Sequence, residues 1–216
     1  MLTIHTADLL LTGDPRWSPM PGGAILVEGG LIASVGPYEE LAAARPSARV
    51  RRWPGLIAPG LLNPYGPELL EQAYHPDPRE AAELGTEPLT GEAPATVGMT
   101  DARWGASARR GAQRMLAHGT VAVAGTLSRP SVLDAVHRSG LTVEERFEAP
   151  AGPPTLDPLA GHRPLAEAIL MPLLPHEGTT ATFAVFDAPD ETTLIARGAG
   201  TCVATVVEGR LVFRRR

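Results

Sequence analysis

The sequence contains no lysine; all 19 basic residues of the 216 are arginine. Without an ε-amine there is no Schiff-base nucleophile, no P-loop lysine and no carboxylated lysine to bridge metals. Cysteine occurs once, at Cys202, which excludes an intramolecular disulfide and a thiolate zinc cluster. Within TCVATVVEG it reads as a small buried hydrophobe on a strand. No apolar run approaches the roughly 18 residues of a membrane-spanning helix. The N-terminus has no basic stretch leading into an apolar one, so no signal peptide is expected and a cytoplasmic protein is. An excess of positive charge is also missing: the formal net charge is -5, which argues against a nucleic-acid partner. Arg214-Arg215-Arg216 reads as a solvated tail. The histidines are His5, His75, His118, His137, His162 and His176. None is spaced from another by two or four residues, so no local pair of metal ligands exists. VEGGLIASVG sits in a hairpin pattern, not ahead of a helix, and so is not a phosphate-binding fingerprint.

What is present is an ordinary globular composition, 44% hydrophobic and 20% charged, with enough chain for one large or two small domains. Gly 23 and Pro 22 predict many turns and short strands. LTIHTADLLLTG has a strand pattern. Ala24–Glu28 and Leu31–Val35 flank Gly29-Gly30, a hairpin signal. YEELAAARP predicts a short helix stopped by Pro46, and ARVRRWPGLIAPG a further strand. Residues 68–100 carry Pro76, Pro78, Pro88 and Pro94 and predict an irregular loop with one helical turn near Arg79–Leu84. Beyond them, ARWGASARRGAQRMLAHG has helical spacing at Trp104, Ala108, Ala112, Met115 and Leu116. Asp101 is its expected N-cap and Gly119 its stop. TVAVAG predicts a strand, RPSVLDAVHRSG a helix capped by Ser131 and ended by Gly140, and LTVEERF a third strand. Strand–helix alternation from Gly60 onward implies parallel pairing. Residues 149–181 read as a Pro-rich linker. TFAVFDAP and CVATVVEGRLVFR return to β, the latter as a hairpin around Glu208-Gly209.

Three stretches together resemble the amidohydrolase superfamily, in its imidazolonepropionase-like and aminodeoxyfutalosine-deaminase-like branch: ADLLLTGD with GAILVEGGLIASVG, WPGLIAPGLLN, and TFAVFD with GTCVATVVEGRLVFR. The resemblance implies an α/β plus β fold. Both chain ends, 1–58 and 182–216, would form a composite β-sandwich domain. Between them, residues 59–148 would be a truncated, partial (β/α) barrel remnant of about three parallel strands. A full barrel needs roughly 200–250 residues, more than lie between Pro59 and Thr182.

The resemblance also implies a His-x-His metal pair after the first barrel strand. Tyr65 and Pro67 stand at those positions, and proline has no donor atom while phenol is a poor zinc ligand. The expectation is therefore a degenerate amidohydrolase-like binding or assembly protein with no cofactor. The alternative is a hydrolase or deaminase acting on a non-peptide C–N bond of a small cyclic substrate, with a divalent metal such as zinc. Asn63, Tyr65, Glu68, His75, Asp77, Thr126 and Ser128 are the candidate ligand-binding residues at the strand ends. His75 and Asp77 read as an exposed loop pair, and no catalytic residue is assigned. An open three-stranded parallel sheet must be covered, so a homodimer or a protein partner is expected, with no nucleic acid and no membrane.

Overall fold

The first 59 residues alternate apolar and polar side chains between glycine turns, and they form short strands. In the computed structural model, which describes residues 2–175 and 178–215, these are β1 (Leu2–Thr6), β2 (Leu9–Leu10), β3 (Met20–Pro21), β4 (Gly23–Glu28), β5 (Leu31–Pro37), helix α1 (Tyr38–Ala44), β6 (Arg49–Arg52) and β7 (Leu56–Pro59). Gly29 and Gly30 take φ of +58° and +92°, which the tight turn between β4 and β5 requires and which side chains resist. A four-stranded sheet forms in the order β5-β4-β1-β6. ARVRRWPGLIAPG, expected as one strand, is two. The chain turns at Trp53-Pro54-Gly55, where proline removes a ladder donor. At Gly55 a Cβ would stand 2.3 Å from the Phe186 carbonyl oxygen. Thus β6 stays in the first sheet while β7 enters another.

The middle of the chain holds β8 (Leu61–Asn63), α2 (Gly66–Leu70), α3 (Ala81–Leu84), α4 (Asp101–Leu116), β9 (Thr120–Ala124), α5 (Pro130–Ser139) and β10 (Thr142–Glu144). The three strands pair in parallel in the order β10-β9-β8. Helix α4 is capped by Thr100, whose hydroxyl accepts from Arg103 N at 3.3 Å. Asp101, the expected cap, lies in the first turn, where its charge still meets the positive end of the helix. The five apolar positions named for α4 are all buried. Ser131 does not cap α5: Pro130 takes the first helical position, where no donor is needed, and Arg129 stands at the cap. Gly105 lets the two helices approach, since a Cβ there would lie 3.1 Å from the Ser131 carbonyl oxygen. Their apolar sides close over Val123 with Trp104, Met115, Val132 and Leu141. Residues 68–100 have the turn expected near Arg79–Leu84 and another at Ala93–Val97. Helix α2 is not signalled by apolar periodicity: Pro67 fits a first helical turn, so PYGP starts a helix.

The remaining elements are α6 (Leu165–Ala168), β11 (Phe183–Phe186), α7 (Glu191–Arg197), β12 (Cys202–Val207) and β13 (Arg210–Arg214). Strands from both ends of the chain share one six-stranded sheet, β13-β12-β11-β7-β2-β3. Ile25, Val27, Ile32 and Val35 of the four-stranded sheet cluster with Ile57, Phe183, Val185 and Val206 of this one. Each such side chain, fully buried, contributes roughly 1.5–3 kcal/mol. The sheet also meets the end of α4, where Thr205 Oγ1 donates to the Leu116 carbonyl at 2.6 Å. The stretch expected as linker packs closely in places: Leu159, Leu165, Ala168 and Leu173 are buried. Leu170 N donates to the Gly60 carbonyl, and Ile169 bridges to Leu61, so this segment lines the outer edge of β8. Among the described residues no helix is long and apolar enough to cross a membrane.

Candidate functional site

The C-terminal ends of parallel strands leave backbone groups and loops facing one side, which is where such sheets place ligands. Here those ends carry Asn63 as the last residue of β8, Gly125 after β9 and Arg146 past β10. Asn63 is fully buried. Its Nδ2 donates to the carbonyls of Thr155 at 2.9 Å and Leu156 at 3.4 Å, and its Oδ1 accepts from Tyr65 N at 2.9 Å. Tyr65 is buried too, and its hydroxyl donates to the Ala151 carbonyl at 2.5 Å. The polar atoms at the end of β8 are thus satisfied by residues 151–156 of the same chain. Glu68, on α2, binds Arg146 through both carboxylate oxygens at 2.9 Å, and the same Arg146 nitrogen reaches the Pro64 carbonyl. Arg146 was not among the predicted residues. LTVEERF reads as strand through Phe147, whereas β10 ends at Glu144, and this earlier end puts Arg146 on the same side as Asn63 and Gly125.

Thr126 and Ser128 are exposed beside this group. Ser128 Oγ donates to Glu71 Oε2 at 3.0 Å, and Arg129 N donates to Glu71 Oε1 at 2.6 Å. Glu71, also absent from the prediction, thereby holds the entry to α5 where no side-chain cap exists. The Arg129 guanidinium lies 4.9 Å from the Trp104 ring centre. Glu71, Trp104 and Arg129 line an open cleft of about 570 Å³ with Met99 and Asp101.

His75 and Asp77 are not an exposed pair. His75 is 1% exposed, held where Gly111 of α4 leaves room: a Cβ there would lie 2.7 Å from His75 Nε2. The ring donates through Nε2 to the Leu69 carbonyl at 2.8 Å, while Nδ1 has no partner. Burial pushes its pKa down to about 4, against the Leu69 hydrogen bond and helped by Arg114 and Arg110. Asp77 instead caps the turn at Pro78–Glu80: it accepts from Arg79 N, and Asp77 N donates to Glu80. That backbone hydrogen bond and the Arg79 charge hold its carboxyl below the ordinary range. A loop rich in proline looks exposed from sequence, but a bridge between Tyr74 and Leu89 closes this one, and Ser107 and Arg110 of α4 bond the His75 backbone.

The donors needed for a metal are not assembled. Pro67 has no donor atom, Tyr65 is spent on Ala151, and among the described residues no three His, Cys, Asp or Glu side chains group to hold an ion. The residues at the end of β8 therefore do not fit the metal that the resemblance implies. Cys202 is no thiolate nucleophile, since burial raises its pKa to about 11.

By sequence, residues 23–44 match the imidazolonepropionase-like composite domain of bacteria, so the resemblance read from this stretch is present. No curated protein sequence matches the chain. Among solved structures, ochratoxinase from A. niger is similar at 23% identity and a TM-score of 0.45, covering 67% of this chain and 31% of that one. A zinc-bound adenosine deaminase from Xanthomonas campestris is similar at 17% identity and a TM-score of 0.46, covering 65% and 32%. E. coli guanine deaminase is similar at 16% and 0.44, covering 67% and 35%. This chain spans about a third of the length of these structures.

Proposed function

We propose that this chain is a reduced, degenerate amidohydrolase-like protein that acts by binding or assembly and not by metal-dependent catalysis. The observation that carries the reading is the closed end of β8. Asn63 and Tyr65, the polar groups nearest the place of the missing histidine pair, are bonded to carbonyls of residues 151–156. A hydrolase needs an activated water and a base there; here backbone carbonyls occupy the donors. In this reading the strands shared between the two chain ends form a composite β-sandwich, residues 59–148 are a remnant of a (β/α) barrel, and 149–181 connects the two.

The partner in this reading is a second copy or another protein, covering the outer edge of β10. That edge has no strand neighbour among the described residues, and Phe147 just beyond it is 87% exposed. Small molecules would reach Thr126, Ser128 and the Glu71 cleft more readily than Asn63 or Tyr65.

The test is the double variant Tyr65→His, Pro67→His, checked for folding by circular dichroism and dialysed against zinc. No tight site is expected, because the remaining ligands are not assembled. Stoichiometric, tight zinc binding by the folded variant would contradict the reading.

A further inference from the structure

Residues 146–156 cross the end of β8 with few ties. No backbone–backbone hydrogen bond among the described residues involves 147–156, and 151–154 are exposed. Three side chains hold the segment: Arg146 bonds Glu68 at 2.9 Å and the Pro64 carbonyl at 3.0 Å, Tyr65 Oη donates to the Ala151 carbonyl at 2.5 Å, and Asn63 Nδ2 donates to the carbonyls of Thr155 at 2.9 Å and Leu156 at 3.4 Å. Leu156 also packs against the core around Val123. Both ends, by contrast, are anchored. The Glu144 carbonyl accepts from Gly125 N at 3.0 Å. Asp157 Oδ1 accepts from Leu159 N at 2.8 Å and from Ala199 N at 3.0 Å, tying the far end to the turn before β12.

A segment with firm ends and a lightly held middle belongs to the low-stability part of a fold, which opens without global unfolding. We propose that residues 146–156 are a strap that lifts as a unit, hinged at Glu144 and Asp157, and uncovers Asn63, Tyr65 and Glu68 while the sheets stay intact. The strap rests on the preceding reading only in where the covered mouth lies. Its opening is measured independently of any metal.

Trypsin reports on this directly. Between Arg138 and Arg197 the chain has two arginines, Arg146 and Arg163, and Pro164 blocks cleavage after Arg163. The folded chain is digested in increasing urea below its unfolding transition, and the cut after Arg146 is followed by mass spectrometry. Strap opening exposes little surface, so the cleavage rate is expected to depend only weakly on urea, well below the slope of global unfolding. Tyr65→Phe removes one latch and is expected to speed the cut about five-fold without urea, the effect of one ordinary hydrogen bond. A cleavage rate that rises with the full slope of global unfolding, or one that Tyr65→Phe leaves unchanged, would overturn the proposal. The urea dependence of the unmodified chain decides the matter even where the variant does not fold.

Discussion

Lowering the pH from 7 to 5 should weaken this fold mainly through two histidines. His75 and His5 are 1% and 2% exposed, and each has its pKa lowered from 6.5 to about 4. For His5 the cause is burial first, then the charges of Arg51 and Arg49. His5 accepts from Trp53 Nε1 on its Nδ1 at 3.1 Å, and His75 is hemmed in by Arg114 and Arg110. Protonating either ring in place would bury a cation beside arginines. The folded pKa lies below the unfolded one, so as pH falls the unfolded chain takes up protons first. Stability is full above pH 6.5, declines through the window from 6.5 to 4, and levels off below it. With these values each histidine removes roughly 2 kcal/mol between pH 7 and pH 5, or about 4 kcal/mol together. Asp77, Glu80 and Asp190 are lowered below ordinary carboxyl values of 3.8, 4.5 and 3.8. Their losses come as pH falls through and below those values, so the interval from 7 to 5 isolates the histidines. The assay is urea unfolding followed by tryptophan fluorescence at both pH values, for the wild type and for His75→Leu. The variant should lose only about half as much stability over the interval, whatever its stability at pH 7. A wild type whose stability is flat from pH 7 to 5, or a variant with an undiminished slope, would refute the placement of His75 as a buried neutral ring.

Three further outcomes follow from the packing. Gly119→Ala should destabilise by about 2–4 kcal/mol in chemical denaturation, because it combines unfavourable backbone geometry with overpacking; φ is +71° and the new Cβ would meet the Phe186 ring at 2.7 Å. Glu71→Ala leaves Arg129 N without its acceptor and should cost about 1–2 kcal/mol, with faster amide exchange in the first turn of α5. Light scattering of the pure chain should give a dimer or a larger assembly; a clean monomer would count against self-association over the β10 edge.

The sequence made strands and helices legible wherever periodicity and glycine agreed. Gly29-Gly30 marked a hairpin, and the spacing of Trp104, Ala108, Ala112 and Met115 marked the buried side of α4. It failed where one local signal served two purposes. Thr100 and Asp101 are both good caps, and only backbone geometry chose Thr100. Pro130 shifted the start of α5 so that Ser131 fell inside it. Pro67 stands out in the sequence only as a missing metal donor, although its ring also suits a first helical turn. For the candidate site, Asn63 ends β8 and Tyr65 follows it, but nothing local tells that residues 151–156 return to cover them, since those contacts span 92 and 86 positions of chain. His75 was misjudged for the same reason: its burial comes from Gly111 and Ser107 on α4, which sequence proximity does not show.

The central claim, that the end of β8 is closed by the chain itself and holds no metal site, is tested most directly by elemental analysis of the protein purified without chelators. The account predicts zinc, iron and manganese each far below one per chain, unchanged after dialysis against zinc and washing. One tightly held metal ion per chain would contradict it.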